Sequence, residues 1–227
     1  MLKAVIFDMD GVVVDSQPYH FKADSIIFNK LDLDIPTEER DTFVGKASRK
    51  MWSFIKNKYQ LDQPVEQLMQ LDKTIRIKHI SAIEDVAPMP GAVDLLNDLA
   101  QNNVRIALAS SSPIEVINIL IDKVILRKYF HVIVSGEFIE NGKPDPDIFI
   151  YTAKLLGEDV ADCIVIEDSE NGVRAAKSAG AKCIGLKNDN SGNQDLSLSD
   201  KIINDLHEIN YHVLNLIMKK SAYNHVP

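Results

Sequence analysis

Along most of this chain, continuously apolar, β-prone runs alternate with stretches whose apolar residues recur at helical spacing. Ala4-Val5-Ile6-Phe7 has no polar interruption, as expected of a strand buried on both faces of a parallel sheet. From Pro18 to Ala87 no comparable strand is expected. Leu68, Leu71 and Ile75 instead repeat at helical spacing among charged residues, which predicts a helical insertion. Pro88-Met89-Pro90-Gly91 marks the return. After it the pattern predicts a helix over 92–101, a strand over 104–109, a helix over 113–124 and a strand over 132–134. A helix over 147–156, a strand over 163–166, a helix over 171–179 and a strand over 182–186 continue the series. A polar loop over 188–200, a short strand near Ile202 and an amphipathic helix to about Met218 complete it. Alternation of this kind is an α/β fold: a Rossmann-like parallel sheet flanked by helices, with residues 1–15 and 88–227 as the core and 16–87 as the helical insertion. No internal repeat is seen.

Composition narrows the partners rather than the fold. The 227 residues are 45% hydrophobic, enough for a buried core, and the net charge of -8 leaves no broad basic stripe for a nucleic-acid backbone or an anionic membrane. Neither partner is expected. Cys163 and Cys183 each sit in a strand-like apolar run and read as small buried hydrophobes rather than a disulfide or a metal pair. The first apolar run is too short for a signal peptide and no later run approaches membrane-spanning length, so a reducing, cytoplasmic setting is expected, with a monomer as the expected state.

Open α/β sheets bind ligands beyond the carboxyl ends of their strands, and three of those ends are polar in a related way. The first strand delivers Asp8 and Asp10 in DMDG; the second delivers Ser110, Ser111 and Ser112; the strand over 163–166 delivers Glu167, Asp168 and Ser169. Lys143 follows in a Gly-Lys-Pro turn. Asp and Ser also cap the helices that follow strands, so each of these ends alone has a structural explanation. Taken together, carboxylates converging on one sheet edge repel unless a cation or proton lies among them, and oxygen ligands of this kind suit Mg²⁺.

Asp8 and Asp10 stand two apart, so both side chains leave an extended segment on one face while Met9 turns toward the core. One carboxylate can attack phosphorus to form an aspartyl-phosphate, and a second can protonate a leaving oxygen and then deprotonate water. Gly11 removes a side chain where backbone amides must approach a phosphoryl group, and Ser110, with Ser111 beside it, and Lys143 offer hydrogen bonds and charge to its oxygens.

FDMDGVVVDS, ASSSP, GKPDPDIF and IEDSENG resemble the four ordered motifs of the haloacid dehalogenase-like superfamily, and the resemblance spans nearly the whole chain. It implies that Asp8 is the nucleophile and a metal ligand, and that Asp10 is the general acid/base and lends its carbonyl to Mg²⁺. It also implies that Asp168 completes the coordination with Glu167 beside it. Asp10 argues against haloalkanoate dehalogenase chemistry, which lacks the second aspartate and the metal.

The insertion resembles the cap of the phosphatase and β-phosphoglucomutase subgroup, which closes over small substrates and selects the leaving group. His20, Lys46, Arg49 and Lys73 are the candidate cap contacts, and GKASR resembles the subgroup's specificity loop. A lysine or arginine of an acidic protein can equally be solvated surface, His20 can be a packing residue at the hinge, and Trp52 is expected in the cap core. DSQPYHFKA and GKASR resemble the mutase, whereas ASSSP and DSQP resemble hexose-phosphate phosphatases. A magnesium-dependent phosphatase of small phosphorylated metabolites, sugar phosphates above all, is therefore the first expectation. A β-phosphoglucomutase using the same phosphoenzyme is the alternative. A phosphometabolite sensor without catalysis, and a protein phosphatase, are further readings that release of phosphate from a generic aryl phosphate and from phosphoproteins would separate.

Overall fold

In the computed structural model, which describes residues 2–222, the apolar runs are strands. β1 (Ala4–Phe7), β2 (Arg105–Ser110), β3 (Val132–Ser135), β4 (Cys163–Glu167), β5 (Lys182–Leu186) and β6 (Lys201–Ile203) form a parallel sheet. Among the described residues its order is β3-β2-β1-β4-β5-β6. Helices α1 (Gln17–Lys30), α2 (Thr37–Asp41), α3 (Ser48–Tyr59) and α4 (Val65–Ser81) lie between β1 and the return of the chain. α5 (Ala92–Gln101), α6 (Ile114–Lys123), α7 (Asp147–Leu156), α8 (Glu170–Ser178) and α9 (Tyr211–Ala222) flank the sheet.

Strand residues point alternately to opposite faces, and both faces are covered here, so the runs carry no polar alternation. Val5, Phe7, Ile106, Leu108, Ile164 and Ile166 face one core, filled from α5, α6 and α9 by residues such as Leu96, Ile117 and Leu214. Ala4, Ile6, Ala107, Ala109, Cys163 and Val165 face the other, where α7 and α8 supply Phe149 and Val173. Smaller residues on the second face leave room for α7 and α8. Cys163 and Cys183 are both buried and unpaired, and burial pushes the Cys163 thiol up to about 12. Among the described residues no helix is long and apolar enough to cross a membrane.

β2, β3 and β4 each run one residue beyond the predicted end, to Ser110, Ser135 and Glu167, and the reason lies in their neighbours. Ser110 pairs with Ser135 and Glu167 with Gly185, so the adjacent strand holds each polar residue in the ladder. The Ser110 and Glu167 side chains therefore leave the sheet from fixed backbone.

The insertion has a core of its own, in which Ile27, Phe28, Ile35, Phe43, Met51, Trp52, Ile55 and Leu68 pack together. Large apolar side chains withdrawn from water in this way contribute about 1.5–3 kcal/mol each. The buried row of α4 is Leu68, Asp72, Arg76 and Ile80, a step of four that places two charged residues inside. Leu71 and Ile75 are only half-buried, which shifts the helix's inner face one residue from the expected one. The chain leaves and re-enters the core at one point, where Asp15 N donates to Ala87 O (3.2 Å) and Met89 N donates to Val13 O (2.9 Å).

Candidate active site

β1 sits between β2 and β4, so groups from both neighbours converge on the segment that follows it. Phe7 pairs with Leu108 on one side and Ile166 on the other, and Asp8 N still donates to Ile166 O at 3.0 Å. The chain then turns sharply: Val12, Val13 and Val14 N all donate to Met9 O, while Met9 is buried in the sheet core as its position between the aspartates requires. Gly11 makes this possible at φ +81, a conformation that L side chains disfavour. A Cβ there would lie 2.1 Å from Asp168 Oδ2.

Lys143 is buried completely, and its Nζ lies 2.6 Å from Asp8 Oδ1 and 2.5 Å from Glu167 Oε1, with Ala109 O as a third acceptor at 3.2 Å. Burial works against the ammonium, but Asp8 and Glu167 outweigh it and hold Lys143 charged. Glu167 is fully occupied. Its Oε2 accepts from Asp168 N and Ser169 N, both at 3.1 Å, and from Ser169 Oγ at 2.9 Å. Ser169 caps α8 by accepting from Gly172 N, and a Cβ on Gly172 would lie 1.8 Å from Glu167 Oε1. The sequence IEDSENG thus builds a support for one glutamate.

Asp10 is held from two sides, by the start of the insertion and by the serines after β2. Oδ1 accepts from Ser16 Oγ (2.6 Å) and faces His20 Nε2 (2.7 Å); Oδ2 accepts from Ser110 Oγ (3.1 Å) and Ser112 Oγ (2.8 Å). Burial alone would raise this carboxyl, yet His20 and the hydrogen bonds from His20, Ser16 and Ser112 hold it well below the usual carboxylate range. Asp8 and Asp168 behave differently. Burial, reinforced by Glu167, Asp10 and Asp168 against the pull of Lys143, pushes Asp8 well up. Burial and then Glu167 push Asp168 up to about 8, with Ser191 Oγ donating to its Oδ2.

Oxygens of Asp8, Glu167 and Asp168 lie within 4.8 Å of one another. With Asp10 nearby and Lys143 as the buried ammonium, negative charge is in excess, and raised carboxyls are its signature. An oxygen-seeking divalent cation fits this donor set. Glu167 accepts four hydrogen bonds on its two oxygens, whereas Asp8 accepts from Lys143 Nζ and Asp10 N and Asp168 from Ser191 Oγ, so Asp8 and Asp168 have more lone-pair capacity left as side-chain ligands.

The structure brings Asp8, Asp10, Gly11, Ser110, Lys143, Glu167 and Asp168 together. Ser111 departs from the expected arrangement: its Oγ donates to Gly45 O at 2.9 Å, so it ties the core to the insertion, while Ser112 takes the place beside Asp10. Gly45, at φ +68, packs so tightly that a Cβ would meet Ser169 Oγ at 2.1 Å, and Ala47 N donates to Lys143 O. A cavity of about 710 Å³ lies between core and insertion, lined by Asp8, Asp10, His20, Lys46, Arg49 and Lys73 among others.

Those candidate cap contacts are placed unequally. His20 touches Asp10, as described. Lys73 bridges Glu115 (2.9 Å) and Glu137 (2.6 Å) of the core, and Arg49 pairs with Glu66 in an exposed position. Lys46 lies over the rings of Phe43 and Phe54, and burial lowers its ammonium. Trp52 is in the cap core, where its Nε1 donates to Asp72 at 3.0 Å. Ser16 and Ser112 lie inside the motif segments without a role that the motifs assign, and Asp24, Asp72 and Arg76 lie outside them, although the last two occupy the step-of-four row of α4 with Leu68 and Ile80.

The sequence model of the family described as "haloacid dehalogenase-like hydrolase" matches residues 2–180. Among curated proteins, the chain is 33% identical to a beta-phosphoglucomutase of Bacillus subtilis (strain 168) over 82% of its own length and 83% of that protein's. It is 29% identical to a phosphorylated carbohydrates phosphatase of Thermotoga maritima over 81% and 84%. Among solved structures, a beta-phosphoglucomutase from Clostridium difficile superposes with a TM-score of 0.85 at 25% identity, covering 98% of this chain and 100% of that one.

Proposed function

The chain belongs to the haloacid dehalogenase-like hydrolases and is an enzyme of that family, and from this premise we propose that it hydrolyses small phosphorylated metabolites, sugar phosphates foremost, through a phosphoenzyme on Asp8. The observation that supports the reading is the meeting of Asp8, Lys143 and Asp168 in one buried cluster, to which Ser110 is joined through Asp10. In the first half-reaction an Asp8 oxygen attacks phosphorus, the bond to the leaving oxygen breaks, and that oxygen takes a proton from Asp10. In the second, Asp10 takes a proton from water as the water oxygen attacks the aspartyl-phosphate, which frees inorganic phosphate and restores Asp8. Ser110 and Lys143 would hold the phosphoryl oxygens, and Glu167 keeps the Lys143 ammonium in place. Mg²⁺ held by Asp8, Asp168 and the Asp10 carbonyl would supply charge neutralisation of those oxygens.

The four donors around Asp10 favour its carboxylate form, the form that accepts a proton from water. Donation in the first half-reaction then requires Asp10 to turn from these partners toward the leaving oxygen once substrate is bound. Residues 16–87 act as the cap that excludes bulk water and selects that leaving group, in keeping with their separate core and single crossing point.

Hydrolysis rather than mutase chemistry is supported by charge at the cap end of the cavity. A mutase must hold a second phosphate there while the first is exchanged. Of the cations of the insertion that line the cavity, Lys50, Lys73, Arg49 and Arg76 each already face a carboxylate, namely Asp145, Glu115 with Glu137, Glu66, and Asp24 with Asp72, which leaves Arg40 and Lys46 without one among the described residues. The similarity to a beta-phosphoglucomutase keeps that second reading open to test. A Mg²⁺-supplemented panel of phosphorylated metabolites that records free phosphate and, from β-glucose 1-phosphate, any glucose 6-phosphate separates the two. Phosphate release across sugar phosphates is expected; efficient glucose 6-phosphate formation without phosphate release would overturn hydrolysis.

A further inference from the structure

We infer that Arg76 is a positioning residue that fixes the tautomer of His20, so that the ring presents Nε2–H to Asp10 and the cap thereby sets the orientation of the acid/base carboxylate. This rests on the proposed role of Asp10 and adds to it the group in the cap that controls that role.

The inference follows from what each group can donate. Arg76 Nη1 lies 3.1 Å from His20 Nδ1. A guanidinium carries N–H donors and no acceptor, so Nδ1 must offer its lone pair. The ring's proton is then on Nε2, which faces Asp10 Oδ1 at 2.7 Å and donates to it. Had the proton been on Nδ1, an N–H would point at the guanidinium while the Nε2 lone pair pointed at a carboxylate oxygen, and both contacts would repel.

Arg76 cannot easily turn away. Its Nε donates to Asp72 Oδ1 at 2.6 Å, and Nη2 pairs with Asp24. Asp72 Oδ2 accepts from Trp52 Nε1, a side chain at the centre of the cap core. Asp24, Asp72, Arg76 and His20 are all buried. The fork of the guanidinium is thus held from α1 and α4 at once, with its Nη1 left facing His20 Nδ1. Cap packing is in this way transmitted through Trp52, Asp72, Arg76 and His20 to a carboxylate at the sheet edge.

The direct test is the pair of imidazole ¹⁵N resonances of His20 in the full-length protein at neutral pH, assigned by their loss in His20→Gln. A protonated Nε2 with an unprotonated Nδ1 is expected; a ring protonated on Nδ1 would overturn the inference, whether or not the protein proves to be a phosphatase. The kinetic test is a double-mutant cycle. Arg76→Gln is combined with Asp24→Asn and Asp72→Asn, so that no buried carboxylate loses its partner, and folding is checked by circular dichroism. With His20 present this change should lower kcat on a phosphomonoester about tenfold or more. In the His20→Gln background, where an amide N–H can reach Asp10 without any choice of tautomer, the same change should cost less than about twofold. Equal losses in both backgrounds would assign Arg76 a merely structural role. If the triple variant does not fold, the resonances of the unaltered protein decide the matter alone.

Discussion

The ammonium of Lys143, wholly buried, lies 2.6 Å from Oδ1 of Asp8, which lines the cavity. It keeps a carboxylate available to phosphorus where burial would otherwise favour its protonated form. Asp8→Asn keeps the volume and removes the nucleophile. Turnover of an aryl phosphate should fall at least about 10³-fold, while the melting temperature at neutral pH holds or rises, because a neutral amide avoids the desolvation that Asp8 suffers. Near-normal turnover would refute the phosphoenzyme.

The raised carboxyls predict how stability of the metal-free protein depends on pH. Asp168 is pushed up to about 8 from an ordinary 3.8, and Asp8 also moves up. A group whose folded-state pKa exceeds its unfolded value binds more protons in the folded chain between the two, so its stabilising effect is complete below about pH 4 and is lost as pH climbs through about 8. Each unit corresponds to about 1.4 kcal/mol. Mg²⁺ should offset the loss, so the rise in melting temperature on adding it should be greater above pH 8 than near pH 5. Thermal melts with Mg²⁺ or EDTA across that range measure this; an equal rise at both ends would contradict a cation held by these carboxyls.

Gly11→Ala should strike the cation site before the fold. At φ +81 an alanine costs about 1–2 kcal/mol, and its Cβ would displace Asp168 Oδ2 and Asn188 Nδ2. The Mg²⁺ concentration for half-maximal activity is expected to rise about tenfold or more. Titration of activity with Mg²⁺ reads it directly, and an unchanged midpoint would show that Asp168 does not need its present place.

Lys73→Gln tests whether that lysine joins cap to core or contacts substrate. Its ion pairs with Glu115 and Glu137 are partly exposed, so stability should change by less than about 1 kcal/mol. Closure should suffer instead: kcat/KM is expected to fall several-fold at low salt, and the variant should be less sensitive to added salt than the parent. A variant that keeps the parent's salt sensitivity would remove Lys73 from the closure contact.

Much of the core chemistry was legible because it is local. A residue at the end of an apolar run leaves the sheet at its carboxyl edge whatever the rest of the chain does, and so Asp8, Ser110 and Glu167 could be placed from pattern alone. Ser111 and Ser112 could not be told apart. Which hydroxyl of the serine run faces Asp10 depends on β2 continuing through Ser110, and that is set by its pairing with Ser135 on another strand. The cap was legible only as helical. Lys73 resembled a substrate lysine because its partners, Glu115 and Glu137, lie far along the chain. Arg76 and Asp72 stand four apart on α4, and nothing in that spacing tells that α1 brings Asp24 and His20 against them.

The two crossings that join residues 16–87 to the rest of the chain stand side by side, bonded through Asp15 to Ala87 and Met89 to Val13. A module tethered at a single doorway can be exchanged, lengthened or pared down while the sheet order stays intact. Diversity of substrates could then accumulate in one segment while the machinery for breaking the phosphorus–oxygen bond stays the same, and a short turn from Asp15 to Ala87 should leave a foldable core that attacks large, uncovered phosphoesters.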